Sequence, residues 1–267
     1  MLAVGLSLAF GIMGVLNLAH GSLAVLAAIL YKKSLVLFPF SPWMFCVLAT
    51  PVFLGFGFLL HLIIVAPFRN LSLSAGVVSS LIASLGLALI LEDLFVWWQG
   101  WESISTNITF STFNLMGLKI PGLRAILLGM ATVTIGLSTL FLKKTDSGRS
   151  MRALAQDKEA ASLYGINPGF TSMGALGLAT ILAGVAGIFY SSLYPLGPRE
   201  GLDLTLKALF IVVAGGMGNL RGPAVAGLAL GFIESFAGFL FTYTSTDTAV
   251  YSLLVAYLVL KRGGRRQ

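Results

Sequence analysis

Four long apolar runs, roughly 43–66, 75–98, 123–142 and 172–194, constrain this chain more than anything else in it. Each has about the twenty residues that a helix needs to cross the hydrocarbon layer of a bilayer. In lipid every backbone N–H and C=O must be satisfied inside the spanning segment, so runs of this length fold as helices. Further apolar runs cover roughly 2–31, 205–218, 223–242 and 248–260. The first is longer than one crossing needs and is interrupted by Gly11, Gly14, Asn17, His20 and Gly21. It predicts two short or broken helices meeting near Asn17. The run 205–218 is too short for a full span and abuts the turn GGMGNLRGP, so a partial or re-entrant helix is expected there. The expected fold is all-α, a polytopic transmembrane bundle with about eight membrane segments, some broken or re-entrant. It forms one domain over residues 1–267, with a polar loop at 143–168.

Composition removes the competing classes. Only 10% of residues are charged and 57% are hydrophobic, whereas soluble domains carry about a quarter charged residues. The single cysteine, Cys46, excludes an internal disulfide and a cysteine-rich metal site. Two histidines far apart in sequence, His20 and His61, suggest no metal either, and they read as buried polar groups between helices. Met1 is followed at once by apolar sequence without a basic leader, so no cleavable signal peptide is expected. The net charge of +7 is a topology signal, because nucleic-acid binding would need an exposed basic face with stacking aromatics, and none is seen. Enzyme chemistry is absent too. There is no HExxH, no GxSxG, no pair of intramembrane aspartates and no GxxxxGK[ST] phosphate loop. No catalytic residue, metal or cofactor is predicted.

Orientation follows from where lysine and arginine fall. The 143–168 loop holds Lys143, Lys144, Arg149, Arg152 and Lys158, and the tail KRGGRRQ adds Lys261, Arg262, Arg265 and Arg266. Both are therefore expected on the cytoplasmic side, with four crossings between them and Arg221 also inside. Counting back, the linker 99–121 falls outside, entered through Trp97, Trp98 and Trp101 as an aromatic belt. Lys32 and Lys33 then land outside, against the rule.

Within the apolar runs, small residues at Gly174/Gly177, Ala183/Gly184/Gly187 and Gly227/Gly231 predict close helix packing, since lipid provides no hydrophobic drive for association. Glu234 sits mid-run with no basic residue within a turn, and such a carboxylate faces a pathway, a subunit interface or a neutralising hydrogen bond. Two Gly-rich turns, GIMGVLN (11–17) and GGMGNLR (215–221), echo one another at opposite ends of the chain. Paired interruptions of this kind mark translocation paths in transporters.

The polar loop has its own pattern. Asp146, Ser147 and Ser150 are suited to cap a helix, residues 151–164 are good helix formers, and Gly165 with Asn167-Pro168 ends it. On one continuous helix Arg152, Gln156, Glu159 and Leu163 share a face, while Ala153, Ala160 and Ala161 are small. By composition alone this is a solvated loop helix or a surface offered to a partner.

Glu159-Ala160-Ala161-x-x-x-Gly165 has the spacing of the EAA motif, the coupling loop of bacterial ABC-importer permeases, and GRSMRALAQDKEAASLYGIN resembles its form in permeases for branched-chain amino acids. Three other blocks are similar to that family in the same order: LSLAFGIMGVLNLAHGSL (6–23), PFRNLSLSAGVVSSLIASLGLALILEDL (67–94) and LKALFIVVAGGMGNLRGPAVAGLALGFIES (206–235). The phrase IMGVLNLAHG resembles the H-type subunit of the permease pair. Two departures stand out. The likeness begins inside what is usually the family's first or second helix, and KRGGRRQ replaces the usual closing motif.

The resemblance implies a bacterial inner-membrane importer. This chain would pair with a homologous second permease, two cytoplasmic ATP-binding subunits and an extracytoplasmic substrate-binding protein. Arg149 and Arg152 would position the coupling helix, Gln156 would lie on its polar face, and Glu159 would pair or cap against the ATPase. Ala160, Ala161 and Gly165 would allow close approach. Asn17, His20, Gly215, Gly216, Gly218 and Glu234 are candidates for the pathway. The competing readings are an ion-coupled carrier using Glu234, a related permease for urea or amides, and a membrane scaffold without transport.

Overall fold

The structure, a computed structural model, describes residues 1–38, 41–68, 71, 73–106, 112–115, 118–219 and 221–240. The run 248–260 and the basic tail lie outside them. Ten helices are formed among the described residues: α1 (Leu2–Met13), α2 (His20–Leu37), α3 (Pro42–Leu60), α4 (Leu73–Gln99), α5 (Gly122–Lys144), α6 (Asp146–Gln156), α7 (Lys158–Leu163), α8 (Pro168–Leu193), α9 (Gly201–Gly215) and α10 (Arg221–Leu240). Five are long and apolar enough to cross a membrane, namely α2, α3 with its π-helical and 3-10 extension to Phe68, α4, α5 and α8. The shorter α1 and α9, with α10, complete the apolar layer. The first apolar run divides at residues 14–19, as the interruptions predict, and 205–218 forms the short α9. Outside the helices, the 99–121 linker contributes a two-stranded antiparallel hairpin, β1 (Phe113–Leu115) and β2 (Leu118–Ile120), with Phe113 opposite Ile120.

Helix α8 is the axis of the packing, with α1, α2 and α3 against it. Its glycines explain how. A Cβ on Gly187 would overlap the backbone of Ala24 in α2, and one on Gly57 in α3 would overlap Gly177 in α8. Phe53 of α3 lies flat against Gly184, and the Thr180 hydroxyl reaches the Phe53 carbonyl at 2.6 Å. Close backbone approach of this kind maximises dispersion contacts where lipid gives no hydrophobic drive. The third small-residue pair behaves differently. Among the described residues Gly227 meets only Ile211 and Gly231 has nothing within 4 Å, so no described helix packs closely on this face of α10. Exposed apolar side chains such as Ile82 and Ile90 on α4, Val133 and Leu137 on α5, and Phe232 and Phe236 on α10 form the outer surface, as a bilayer permits.

One end of the bundle is tied by polar contacts. Ile104 bridges Leu196, and the Thr106 hydroxyl sits 3.1 Å from that of Ser191. Asp93 pairs with Arg199, whose guanidinium lies 4.7 Å from the Trp101 ring centre. Glu92, late in α4, accepts from the Leu202 N–H at 2.9 Å. Lys33 is at this same end, its ammonium 4.6 Å from the Trp98 ring centre and 3.4 Å from the Trp98 carbonyl. These contacts give Lys33 a local reason to sit beside the 99–121 linker despite the charge-bias rule.

Candidate functional site

The break between α1 and α2 is the first irregular element inside the apolar layer. Gly14 ends α1 in the left-handed region at φ 68°. Non-helical backbone at membrane depth must find partners from side chains or water, and here it finds them on two other helices. The Leu18 N–H donates to the Ser84 hydroxyl of α4 at 3.1 Å, and the Gly21 N–H donates to Thr205 Oγ1 of α9 at 2.7 Å. The same Thr205 hydroxyl is 2.9 Å from the Leu18 carbonyl, and Ser84 Oγ is 3.4 Å from the Leu16 carbonyl. Asn17 is buried and closes the turn locally, its Oδ1 accepting from the Ala19 N–H at 3.0 Å. His20, 1% exposed, begins α2 beside Gly5, Ala179 and Leu182. Thr205 and Ser84 are the candidate-site residues that sequence reading missed. Each looks like an ordinary hydroxyl within an apolar helix until the broken segment is docked beside it.

The second irregular element is the turn between α9 and α10. Gly216 and Gly218 adopt φ 98° and 80°, a region where a side chain is strained. Gly215 packs on Gly222 so tightly that neither tolerates a Cβ. This turn meets the end of α1: a Cβ on Gly11 would lie 2.6 Å from Gly218 Cα, and the Ser7 hydroxyl donates to the Asn219 carbonyl at 3.1 Å. The two echoing Gly-rich segments are therefore in contact. Asn17, His20 and Gly218 are joined through α1 and α9, whereas Glu234 belongs to a separate contact.

Glu234 has a partner that sequence distance concealed. Its Oε1 lies 3.3 Å from Lys207 Nζ across the α9–α10 packing, which corrects the expectation of an isolated carboxylate. The Glu234 and Lys207 side chains are 31% and 26% exposed, although Glu234 Oε1 itself is buried. Removing one partner of a fully buried pair costs about 3–5 kcal/mol, and partial exposure reduces this to roughly 1–2 kcal/mol. Lys207→Met is therefore expected to lower the melting temperature of the detergent-purified chain, and adding Glu234→Gln to restore most of the loss. A double variant no more stable than the single one would show that the pair is not coupled.

The polar loop is more structured than a solvated linker. It forms two helices where one was expected, because Asp157 breaks the segment and caps the second: its Oδ1 accepts from the N–H groups of Glu159 and Ala160 at 2.9 and 3.0 Å. Arg152 and Gln156 lie on α6, Glu159 on α7, so the predicted common face is divided. Helix α6 is capped by Thr145, carries the Asp146–Arg149 ion pair, and buries Met151 and Leu154. Arg149, Arg152, Ala153 and Gln156 line an open groove of about 310 Å³. Ala161 is buried, and Gly165 follows α7 at φ 81°, its N–H bonded to the Ser162 carbonyl and that of Ile166 to the Ala161 carbonyl. Beside this turn, Leu163, Tyr164 and Phe170 are 89%, 87% and 74% exposed. These three large apolar side chains are displayed on capped, hydrogen-bonded backbone.

The sequence matches one family of known proteins over nearly its whole length. The family described as branched-chain amino acid transport system, permease component, matches residues 1–260. This chain belongs to that family. The permease is 23% identical to the high-affinity branched-chain amino acid transport permease BraD of Pseudomonas aeruginosa, over 99% of this chain and 90% of that one. It is equally identical to LivH of Escherichia coli K12, over 99% and 89%. The probable branched-chain amino acid permease LivH of Methanocaldococcus jannaschii is 27% identical over 97% and 84%. No solved structure gives a significant match. The permease is a membrane-spanning transport component, and the two Gly-rich turns and the α6–α7 loop fall within the matched region.

Proposed function

We propose that this chain is the H-type permease subunit of an ATP-driven importer of branched-chain amino acids, one transmembrane domain over 1–267. The observation that carries the coupling assignment is the Leu163, Tyr164 and Phe170 cluster around Gly165, set on the EAA-type loop. An apolar cluster of that kind, flanked by Arg149, Arg152 and Glu159, fits a cleft on a cytoplasmic ATPase. The remaining partners are a homologous second permease, a second ATPase and an extracytoplasmic binding protein, in a bacterial inner membrane with loop 143–168 and the C-terminus facing the cytoplasm. Gln156 faces the partner from α6, and Ala160 keeps α7 thin at the contact, while Ala161 is buried within this chain. ATP-driven closure of the ATPases displaces the loop and switches access between two states. Asn17 and His20 shape the pathway at the broken helix, Gly215, Gly216 and Gly218 shape it at the opposing turn, and Glu234 with Lys207 sets its charge.

The branched-chain amino acid assignment rests on the family match and on relatives whose names carry that substrate. The test is purification of the tagged chain from its native membranes in mild detergent. Co-purification of an ATPase and a second permease, with leucine uptake that requires ATP, is the expected result. A chain that purifies alone from membranes where it transports, and stops when the ion gradient collapses, would instead establish an ion-coupled carrier. Uptake of urea or amides, but not leucine, by the assembled complex would move the substrate assignment.

A further inference from the structure

We infer that α1 relays displacement of the α6–α7 loop to the α9–α10 turn, through the backbone contact of Gly11 with Gly218. The inference rests on the proposal that the loop is moved by an ATPase, and adds the route by which that movement reaches the broken elements of the membrane layer.

Helix α1 carries two adjacent stripes at helical spacing. Leu8, with Ile12 beside it, packs with Leu142 of α5, Met151 of α6 and Ala175 of α8. Ser7 and Gly11, about 100° around the helix, lie against Asn219 and Gly218. One short helix thus touches the loop with one stripe and the turn with the next. Both contacts are stiff. The Leu8 cluster is buried, and close-packed interiors compress little. At Gly11 no side chain intervenes, because a Cβ there would stand 2.6 Å from Gly218 Cα and 3.3 Å from its carbonyl carbon.

The contact continues along α9. Ala3 and Leu6 of α1 pack against Ala208 and Val212, so α1 and α9 move as a pair. Thr205 on α9 in turn holds the Leu18 carbonyl and the Gly21 N–H of the broken segment. Displacement of α1 is then felt at both irregular elements. The ends of the relay are built to yield: Gly14, at φ 68°, has open space around its Cβ position, and Gly216, at φ 98°, likewise.

The test uses the complete importer reconstituted in proteoliposomes, with ATP hydrolysis and leucine uptake measured on the same vesicles. Gly11→Ala forces the two backbones apart, and Ser7→Ala removes the hydrogen bond to Asn219 without adding volume. Gly231→Ala, where nothing lies within 4 Å, is the control. Relative to the control, uptake per ATP hydrolysed should fall about tenfold in Gly11→Ala, within the range of coupling between distant sites, and by a smaller factor in Ser7→Ala. Hydrolysis itself should stay near the control value. If Gly11→Ala does not assemble, Ser7→Ala decides alone. Unchanged uptake per ATP in the assembled variants overturns the relay, and so does an equal fall in uptake and hydrolysis. Failure of the wild-type chain to bind an ATPase is a different result, which overturns the importer reading itself.

Discussion

Gly165→Arg is expected to abolish amino-acid uptake while the chain still reaches the membrane at close to its normal level. Nothing lies within 4 Å of a Cβ built at Gly165, so the fold has room for the new side chain. The backbone cost is local: a non-glycine residue at φ 81° pays roughly 1–2 kcal/mol, spread over a loop whose helices carry their own caps. The damage falls on the surface. Arginine would place a flexible cation among Leu163, Tyr164 and Phe170, where an apolar partner would have to desolvate it. Immunoblots of membrane fractions, uptake assays and recovery of the ATPase with the tagged variant check this together. Uptake at the wild-type rate by a well-expressed Gly165→Arg chain would sink the docking model.

Gly187→Val should do the reverse, removing the protein rather than its coupling. The Cβ would overlap the carbonyl oxygen, carbonyl carbon and Cα of Ala24, all of them backbone, so no rotamer change can relieve it. Separating α2 from α8 also disturbs the Tyr31, Phe53 and Ile188 cluster and the one containing Ala24, Ile29 and Phe95. Overpacking a core typically costs about 1–3 kcal/mol when side chains can adjust, and more is expected here. Membrane yield and melting temperature in detergent should both fall sharply. Gly136→Val on α5, with nothing within 4 Å, should leave both close to wild type. Equal behaviour of the two variants would mean that the α2–α8 approach is not what holds the bundle together.

These two glycines show why residue type alone is an incomplete guide. Both stand in small-residue or turn contexts that the sequence displays, yet one is open and the other is pressed on backbone. The Gly227/Gly231 pair has the same spacing as the packed Ala183/Gly187 pair on α8, yet no described residue packs closely on its face. The EAA-type segment was legible as a helix with a glycine stop, but Asp157 had two possible roles, a residue within a single helix or the cap of a second one. The structure uses it as a cap, and Glu159 thereby leaves the face that carries Arg152 and Gln156.

Hydropathy and punctuation alone determined that this chain forms membrane helices, that the first run breaks near Asn17, that 205–218 is short, and that a structured polar loop separates α5 from α8. Each of these follows from local rules: twenty apolar residues must satisfy their own backbone in lipid, and glycine, proline and capping side chains stop a helix wherever it lies. Only the tertiary structure decided that Ser84 and Thr205 complete the hydrogen bonds of the broken segment, that Glu234 pairs with Lys207, and that Gly11 meets Gly218. Those partners lie from 27 to more than 200 residues apart in the chain. Hydrogen bonds, ion pairs and backbone contacts act over a few ångströms, so which distant groups satisfy one another is set by how the helices cross.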